Sequence, residues 1–139
     1  MKASILSSLV MLGLSSAFGP ALLNAQNMEP IHFTIPFNFN VGSTAFRAGE
    51  YEVRKLSAWA LSIQNSDGRA SQIVLTQSGK PGTESGIANL LFHRYGDHYF
   101  LCRLSETGKG WELPPSAAEK ELIAKRAEPG SLSLIASNK

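Results

Sequence analysis

The sequence predicts a mainly β fold, namely a single-domain β-sandwich or partly open barrel of about seven antiparallel strands with one C-terminal helix. Three observations carry this prediction. Apolar and polar residues alternate over 31–41, Gly-containing turn signals separate further strand-like segments, and one capped helical segment follows Pro114-Pro115. Because a strand of period two has all its apolar side chains on one face, these faces are expected to form a single core.

The first 25 residues are predicted to be a secretory signal peptide. Lys2 precedes an apolar run over 5–14, and Leu23-Asn24-Ala25, which ends in a small residue, forms the predicted cleavage site before Gln26. Serines interrupt the apolar run, which is shorter than the roughly 20 residues of a membrane-spanning helix, so a retained anchor is the less favoured alternative. The predicted mature chain, 26–139, is then one β-rich domain, located in the periplasm or outside the cell.

The first strand is predicted over 31–41. Pro36 lies on the polar phase of this strand and lacks an N–H, so the strand is expected at a sheet edge or bulged at that point. Residues 50–56 form the next alternating strand, with Tyr51 and Val53 facing inward. The residues expected to share one core are Ile35, Phe37, Phe39, Leu61, Ile73 and Leu91.

A first hairpin is predicted around Ser66-Asp67-Gly68. A three-residue loop with Gly68 in the left-handed conformation brings all the flanking apolar residues to one face. A two-residue loop would pair Ile63 with Gln72 and mix polar and apolar residues on both faces, so the longer loop is preferred. The preferred register pairs Ile63 with Ser71, Leu61 with Ile73, and Trp59 with Leu75.

A second hairpin is predicted from 87–95 and 98–105, around a Gly96-Asp97 turn of type II′. Both of its faces are apolar in mid-strand, so it is expected between two layers, or between a sheet and a helix. The Gly-, Pro- and Ser-rich stretch before it, 78–86, is expected to be an irregular, mobile loop. The predicted register pairs His93 with Phe100, Phe92 with Leu101, Leu91 with Cys102, and Leu90 with Arg103.

The C-terminal helix is predicted over about 117–127. Ser116 and Glu119 form a capping box at its start, and Pro129-Gly130 ends it. Its narrow apolar stripe is typical of a surface helix docked on a sheet. Residues 131–136 follow as an edge strand or a frayed tail. The stripe consists of Ala118, Leu122, Ile123 and Ala127.

Composition argues against several classes of function. The chain has 13 Lys and Arg against 11 Asp and Glu, and loss of Lys2 with the signal peptide leaves 12 basic residues and a net charge of +1. Nucleic-acid binding needs a basic face, which this balance does not indicate. Cys102 is the only cysteine, so no intramolecular disulfide can form. It lies too far from the cleavage site to carry a lipid, and no stable membrane insertion is expected after cleavage.

Four motifs run through the predicted mature chain: FTIPFNFNVG at 33–42, AGEYEV at 48–53, FHRYGDHYFL at 92–101 and ELPPS at 112–116. With them the chain resembles an uncharacterised family of small exported bacterial proteins. This resemblance implies export and one small domain, without an assigned reaction or ligand. The AGEYEV motif is also similar to a signature of extracellular β-sandwich modules, including carboxypeptidase-regulatory-like domains, which implies a fold and not a function.

Candidate metal ligands lie on one face of the second hairpin: His93, His98 and Cys102. Diagonal neighbours on such a face lie about 7–8 Å apart, within reach of a shared metal if the side chains converge. A metal site is not favoured, because Cys102 is expected to be a buried small hydrophobe and His98 a solvated residue beside the turn. No metal or other cofactor is therefore predicted. His32 alternates with core residues and is expected to face solvent.

Candidate catalytic residues are equally few. Asp97 and His98 are adjacent on a strand and point to opposite faces, so they cannot form a dyad without a bulge. Glu50 and Glu52 share a strand face, which is more typical of a solvated surface than of a carboxylate pair. No catalytic residue is predicted. Trp111, in a Gly-rich segment, is a candidate ligand platform, although packing beneath the C-terminal helix is favoured for it.

The sequence therefore predicts an exported, non-enzymatic binding or interaction module of the cell envelope. Its expected partner is an envelope protein or another surface component. A carrier of a small apolar ligand inside a barrel is the first alternative, and a hydrolase of unknown substrate is the second. The carrier is disfavoured because large side chains indicate a filled interior. These side chains are Phe33, Phe37, Phe39, Phe92 and Phe100.

Overall fold

The computed structural model describes residues 29–82, 86–125 and 129–137. The predicted signal peptide therefore lies outside the described residues. Within them the fold is mainly β, as predicted, with curled sheets that form a half-barrel and one helix near the C-terminus. In the same ranges, no helix is long and apolar enough to cross a membrane.

The described residues contain more and shorter strands than the sequence indicated. Several have only two or three residues, because turns and bulges interrupt the alternating segments. The strands are β1 (Ile31–Ile35), β2 (Phe39–Val41), β3 (Thr44–Phe46), β4 (Gly49–Ser57), β5 (Ala60–Asn65), β6 (Ser71–Leu75), β7 (Gln77–Ser78), β8 (Asn89–Tyr95), β9 (His98–Glu106), β10 (Lys109–Glu112) and β11 (Gly130–Ile135), and the helix α1 (Ala117–Ala124) lies between β10 and β11.

The strands form two sheets. The first has the order β1-β4-β5-β6, and the second has the order β11-β8-β9-β10-β7, with β2 paired to β3 and β9. Pro36 divides the predicted first strand, so β1 lies at an edge of the first sheet and β2 joins the second sheet. The backbone N–H of Ser137, just after β11, donates to the carbonyl of His32 in β1 at 2.8 Å, which connects the two sheets.

The core lies between the sheets and is rich in aromatic rings. Ile35, Phe39 and Leu61 are buried in it as predicted. Phe37 is only partly buried and stacks on Tyr99, with ring centroids 4.0 Å apart. Ile73 is exposed and Leu91 is half-buried outside the main cluster, so the prediction was wrong for these two residues. The largest fully buried side chains are Tyr51, Phe33, Phe39 and Phe92.

The predicted register of the first hairpin, β5 and β6, is wrong. The chain turns through a four-residue loop, 66–69, in which the N–H of Asn65 donates to Ala70 at 2.8 Å. Val74 is therefore buried and Ile73 is 64% exposed. The prediction failed because residues 73–75 are all apolar. Alternation therefore allows the core-facing residue to be either Val74 or the pair Ile73 and Leu75. Ile63 lies opposite the polar Gln72, whose amide accepts a hydrogen bond from Thr44 Oγ1 at 3.0 Å.

The second hairpin, β8 and β9, has the predicted register only near its turn. Gly96 has the positive φ, 61°, that the predicted turn requires. A bulge at Cys102 then shifts the pairing by one residue, which lets Leu101 and Leu104 both face the core. Beyond the bulge Leu91 pairs with Arg103 and Leu90 with Leu104, instead of the predicted Cys102 and Arg103.

The helix begins where the capping signal predicted. Ser116 is the N-cap, and its Oγ accepts from the N–H of Glu119 at 3.2 Å. The predicted end, 127, lies outside the described residues, and α1 spans Ala117–Ala124. Of the predicted apolar stripe, Ala118 and Ile123 are exposed, Leu122 is half-buried, and Ala127 lies outside the described residues. Glu119 is instead the buried residue of this helix.

Candidate functional site

An open cleft of about 810 Å³ lies between the two sheets. Three segments line it, 55–59 around the β4–β5 turn, 78–81 from the last residue of β7 onward, and 106–111 around the β9–β10 turn, together with Glu29. Its volume is within the range of clefts that bind small molecules. It is therefore the candidate binding site of the described residues.

The β4–β5 turn presents Trp59 to this cleft. Pairing of Ser57 with Ala60 leaves a two-residue turn, and a register shift follows Lys55. Ser57 Oγ accepts from the N–H of Trp59 at 3.1 Å, and the carbonyl of Trp59 accepts from Thr76 at 2.7 Å. The backbone of Trp59 is thus held on both sides while its side chain stays in solvent, with 64% of the residue exposed.

The floor of the cleft is formed by Trp111. It is 6% exposed, and its Nε1 donates to the carbonyl of Ser57 at 3.3 Å, so it links β10 to the end of β4. Gly110 beside it has no room for a side chain, since a Cβ there would overlap the carbonyl of Lys80. The N–H of Gly79 donates to the carbonyl of Gly110 at 2.9 Å. The described part of the predicted mobile loop is therefore packed on β10.

A salt bridge crosses the cleft between the sheets. Lys55 Nζ lies 2.9 Å from both carboxylate oxygens of Glu106, and both side chains are partly exposed. The same ammonium lies 5.8 Å from the ring centroid of Trp111. Lys109 and Glu29 add one charge of each sign to the lining. The lining therefore carries no net charge.

The sequence prediction found only part of this site. Trp111 is packed, as was favoured for it, and the contact that the structure gives is with the end of β4. Trp59 was expected to face Leu75 within a sheet and is instead exposed. The Lys55–Glu106 pair joins residues 51 positions apart, and no local pattern indicates it. The one available signal was a tryptophan placed directly after Ser57-Ala58, where a turn begins.

The three candidate metal ligands, His93, His98 and Cys102, do not converge on one point. Cys102 is buried, its Sγ donates to the carbonyl of Leu91 at 3.2 Å, and burial raises the pKa of its thiol to about 12. His98 is exposed beside the turn. His93 instead contacts Glu119, with Nδ1 and Oε1 2.7 Å apart. Among the described residues, no group of three or more His, Cys, Asp or Glu side chains could hold a metal ion.

Tyr95 also belongs to the cluster around Glu119. Its hydroxyl donates to Glu119 Oε1 at 3.1 Å. Burial, followed by the charge of Glu119, raises the pKa of Tyr95 above its ordinary value of 10.0. The second face of the β8–β9 hairpin is thus covered by a polar contact with α1, which the sequence prediction missed.

The remaining candidates are at least partly exposed. Glu52 lies 3.3 Å from the guanidinium of Arg54 and 3.8 Å from His32, as part of an outer strand face. Asp97 and His98 are both exposed and line a shallow groove of about 290 Å³. Neither arrangement brings a nucleophile, a base and an orienting group together.

Comparison with known proteins found no matching family model, no matching curated protein and no matching solved structure.

Proposed function

We propose that this protein is an exported, non-enzymatic binding module that captures a component of the cell envelope in the cleft between its sheets. The observation that carries the proposal is that the exposed Trp59 lines the same cleft as the Lys55–Glu106 pair. Tryptophan is enriched at binding sites, where it contributes a large, rigid contact surface. A concave site with a few convergent polar groups is the arrangement expected of a ligand cleft.

The packed interior supports binding at the cleft in preference to a carrier function. Phe39 contacts Phe92 and Tyr51, with ring centroids 5.6 Å and 5.1 Å apart. These rings occupy the space between the sheets that an apolar ligand would need. Binding at the open cleft requires no displacement of the core.

The protonated state of the buried Cys102 thiol supports a non-enzymatic role. A thiol with a pKa of about 12 is protonated at neutral pH, and the thiolate is the nucleophilic form. His93 is engaged by Glu119 and lies on the other side of the hairpin from the main core. Export is supported by the sequence of residues 1–25, with its basic start, apolar run and small-residue exit.

The test of binding uses the exported protein as bait on a detergent extract of the cell envelope. We expect the wild type to retain one component that Trp59→Ala does not retain. Ile73→Thr is the matched control, because Ile73 is also 64% exposed but does not line the cleft. Retention of the same component by Trp59→Ala would contradict the proposal.

The test of export is the N-terminal sequence of the protein recovered from the envelope fraction. Cleavage after Ala25 makes Gln26 the first residue. Recovery of the chain with Met1 intact would contradict the proposed export while leaving the binding test unaffected.

A further inference from the structure

Resting on the proposed function, we infer that the component bound in the cleft is an uncharged saccharide whose ring stacks on Trp59. One face of a sugar ring consists of C–H groups with a slight positive charge, which pack on the electron-rich face of an indole. The edge of the ring carries hydroxyl groups, each both a donor and an acceptor. Such a ligand therefore needs an exposed aromatic face with paired donors and acceptors beside it.

Trp59 provides the aromatic face, and the backbone that carries it is already held before binding. Its N–H donates to Ser57 Oγ and its carbonyl accepts from Thr76, so the backbone that carries the indole is held on both sides. Because this backbone is already held, only the side-chain torsions of Trp59 lose freedom when a ligand stacks on the indole. With 64% of the residue exposed, the described chain leaves much of the indole accessible to a ligand.

The Lys55–Glu106 pair provides the donors and acceptors. An ammonium group has three donors and no acceptor, whereas an ionised carboxylate only accepts. Both side chains are partly exposed on the cleft. A hydroxyl that bridges them can donate to Glu106 and accept from Lys55 at once, and hydrogen bonds to charged groups are stronger than those between neutral groups.

The charge balance selects an uncharged ligand. Lys55 is compensated by Glu106 at 2.9 Å, and the lining contains one further residue of each sign, Lys109 and Glu29. An anionic ligand would have to displace the Glu106 carboxylate from Lys55 and would meet its negative charge. Phosphate- or carboxylate-bearing sugars are therefore disfavoured relative to neutral ones.

An extended peptide would find only short strand edges at the cleft. A peptide that adds to a sheet needs a strand edge with free backbone groups. β10 pairs with β9 and β7, and β4 pairs with β5 over Tyr51–Ser57 but with β1 only over Gly49–Val53. The edge left at the end of β4 is four residues long, and the carbonyl of Ser57 within it already accepts from Trp111 Nε1. The rest of the lining consists of side chains and turns, which suit a compact polar ligand.

The direct test titrates the exported protein with soluble neutral oligosaccharides, namely β-1,4-glucan, α-1,4-glucan, mannan and chitin fragments, and in parallel with polygalacturonate and a sulfated glycan. We expect binding of at least one neutral oligosaccharide, measured by calorimetry. Trp59→Ala should weaken it at least tenfold, Trp59→Phe should weaken it less, and Ile73→Thr should leave it unchanged. Absence of neutral binding, stronger binding of the acidic polymers, or unchanged binding by Trp59→Ala would each overturn the inference.

A second test separates this inference from the proposed function. The envelope extract is treated with periodate, which cleaves vicinal diols of sugars, or with protease, before it is applied to the bait. Capture that is lost after periodate and survives protease supports a saccharide. Capture that depends on Trp59 but survives periodate and is lost after protease would overturn the saccharide and leave the binding module intact.

Discussion

Glu119 Oε1 lies 2.7 Å from Nδ1 of His93, and through this contact the helix of the described residues is attached to the sheet by a buried carboxylate. Glu119 is only 3% exposed and also accepts the hydroxyl of Tyr95. Its own backbone N–H is capped by Ser116. One residue therefore serves both the start of the helix and its docking on β8.

Glu119→Ala is expected to lower the free energy of unfolding by about 1–3 kcal/mol, because it leaves the donors of His93 and Tyr95 without their acceptor. Glu119→Gln should cost less, since its amide oxygen can still accept one of them. Glu121→Ala is the control, because Glu121 is exposed on the same helix and its loss should change stability by less than about 0.5 kcal/mol. Equal urea midpoints for the two alanine variants would contradict the docking role.

Stability is expected to fall as the pH rises above about 9, in part because of Cys102. Burial raises the pKa of this thiol from 9.0 to about 12, so the unfolded chain loses the proton first. Between these two pKa values the folded state binds more protons than the unfolded state, so its stability falls as the pH rises. The stabilisation that the protonated thiol gives below pH 9 is lost progressively until the pH reaches the folded pKa of about 12. The measurement is the slope of unfolding free energy against pH. It should be shallower in Cys102→Ala, whereas an identical slope would exclude a buried, protonated thiol.

Two neighbouring residues of β6 test the register of the first hairpin. Val74→Ala removes buried methyl groups and should destabilise the protein by about 1–3 kcal/mol. Ile73→Thr keeps a β-branched side chain at an exposed position and should change stability by less than about 0.5 kcal/mol. Chemical denaturation of the two variants is the measurement. The reverse order of effects would support the register in which Ile73 faces the core.

The two tryptophans of the chain should differ sharply in solvent access. In Trp111→Phe the remaining indole is the exposed Trp59, whose fluorescence acrylamide should quench readily. In Trp59→Phe the remaining Trp111 is buried at the floor of the cleft and should be protected. Similar quenching constants in the two variants would contradict the geometry of the cleft.

Sequence patterns within a few residues correctly predicted the elements for which only one arrangement fits the pattern. Tyr51 and Val53 face inward because a single polar residue separates each apolar one in β4. Gly96 adopts positive φ in the tight turn that the sequence indicated. The helix begins at Ser116 because its hydroxyl can satisfy a free backbone N–H whatever the helix packs against.

The sequence by itself determined the mainly β class, the edge position of β1 just before Pro36 and the start of the helix, because each depends on alternation, a missing donor or a cap within a few residues. Only the tertiary structure decided which of residues 73–75 is buried, since both phases satisfy the local pattern and the packing of Val74 selects one. It also decided the contacts of Lys55 with Glu106 and of His93 with Glu119. These pairs join distant segments, and a charged residue is placed by the partner that compensates its burial, which lies elsewhere in the chain.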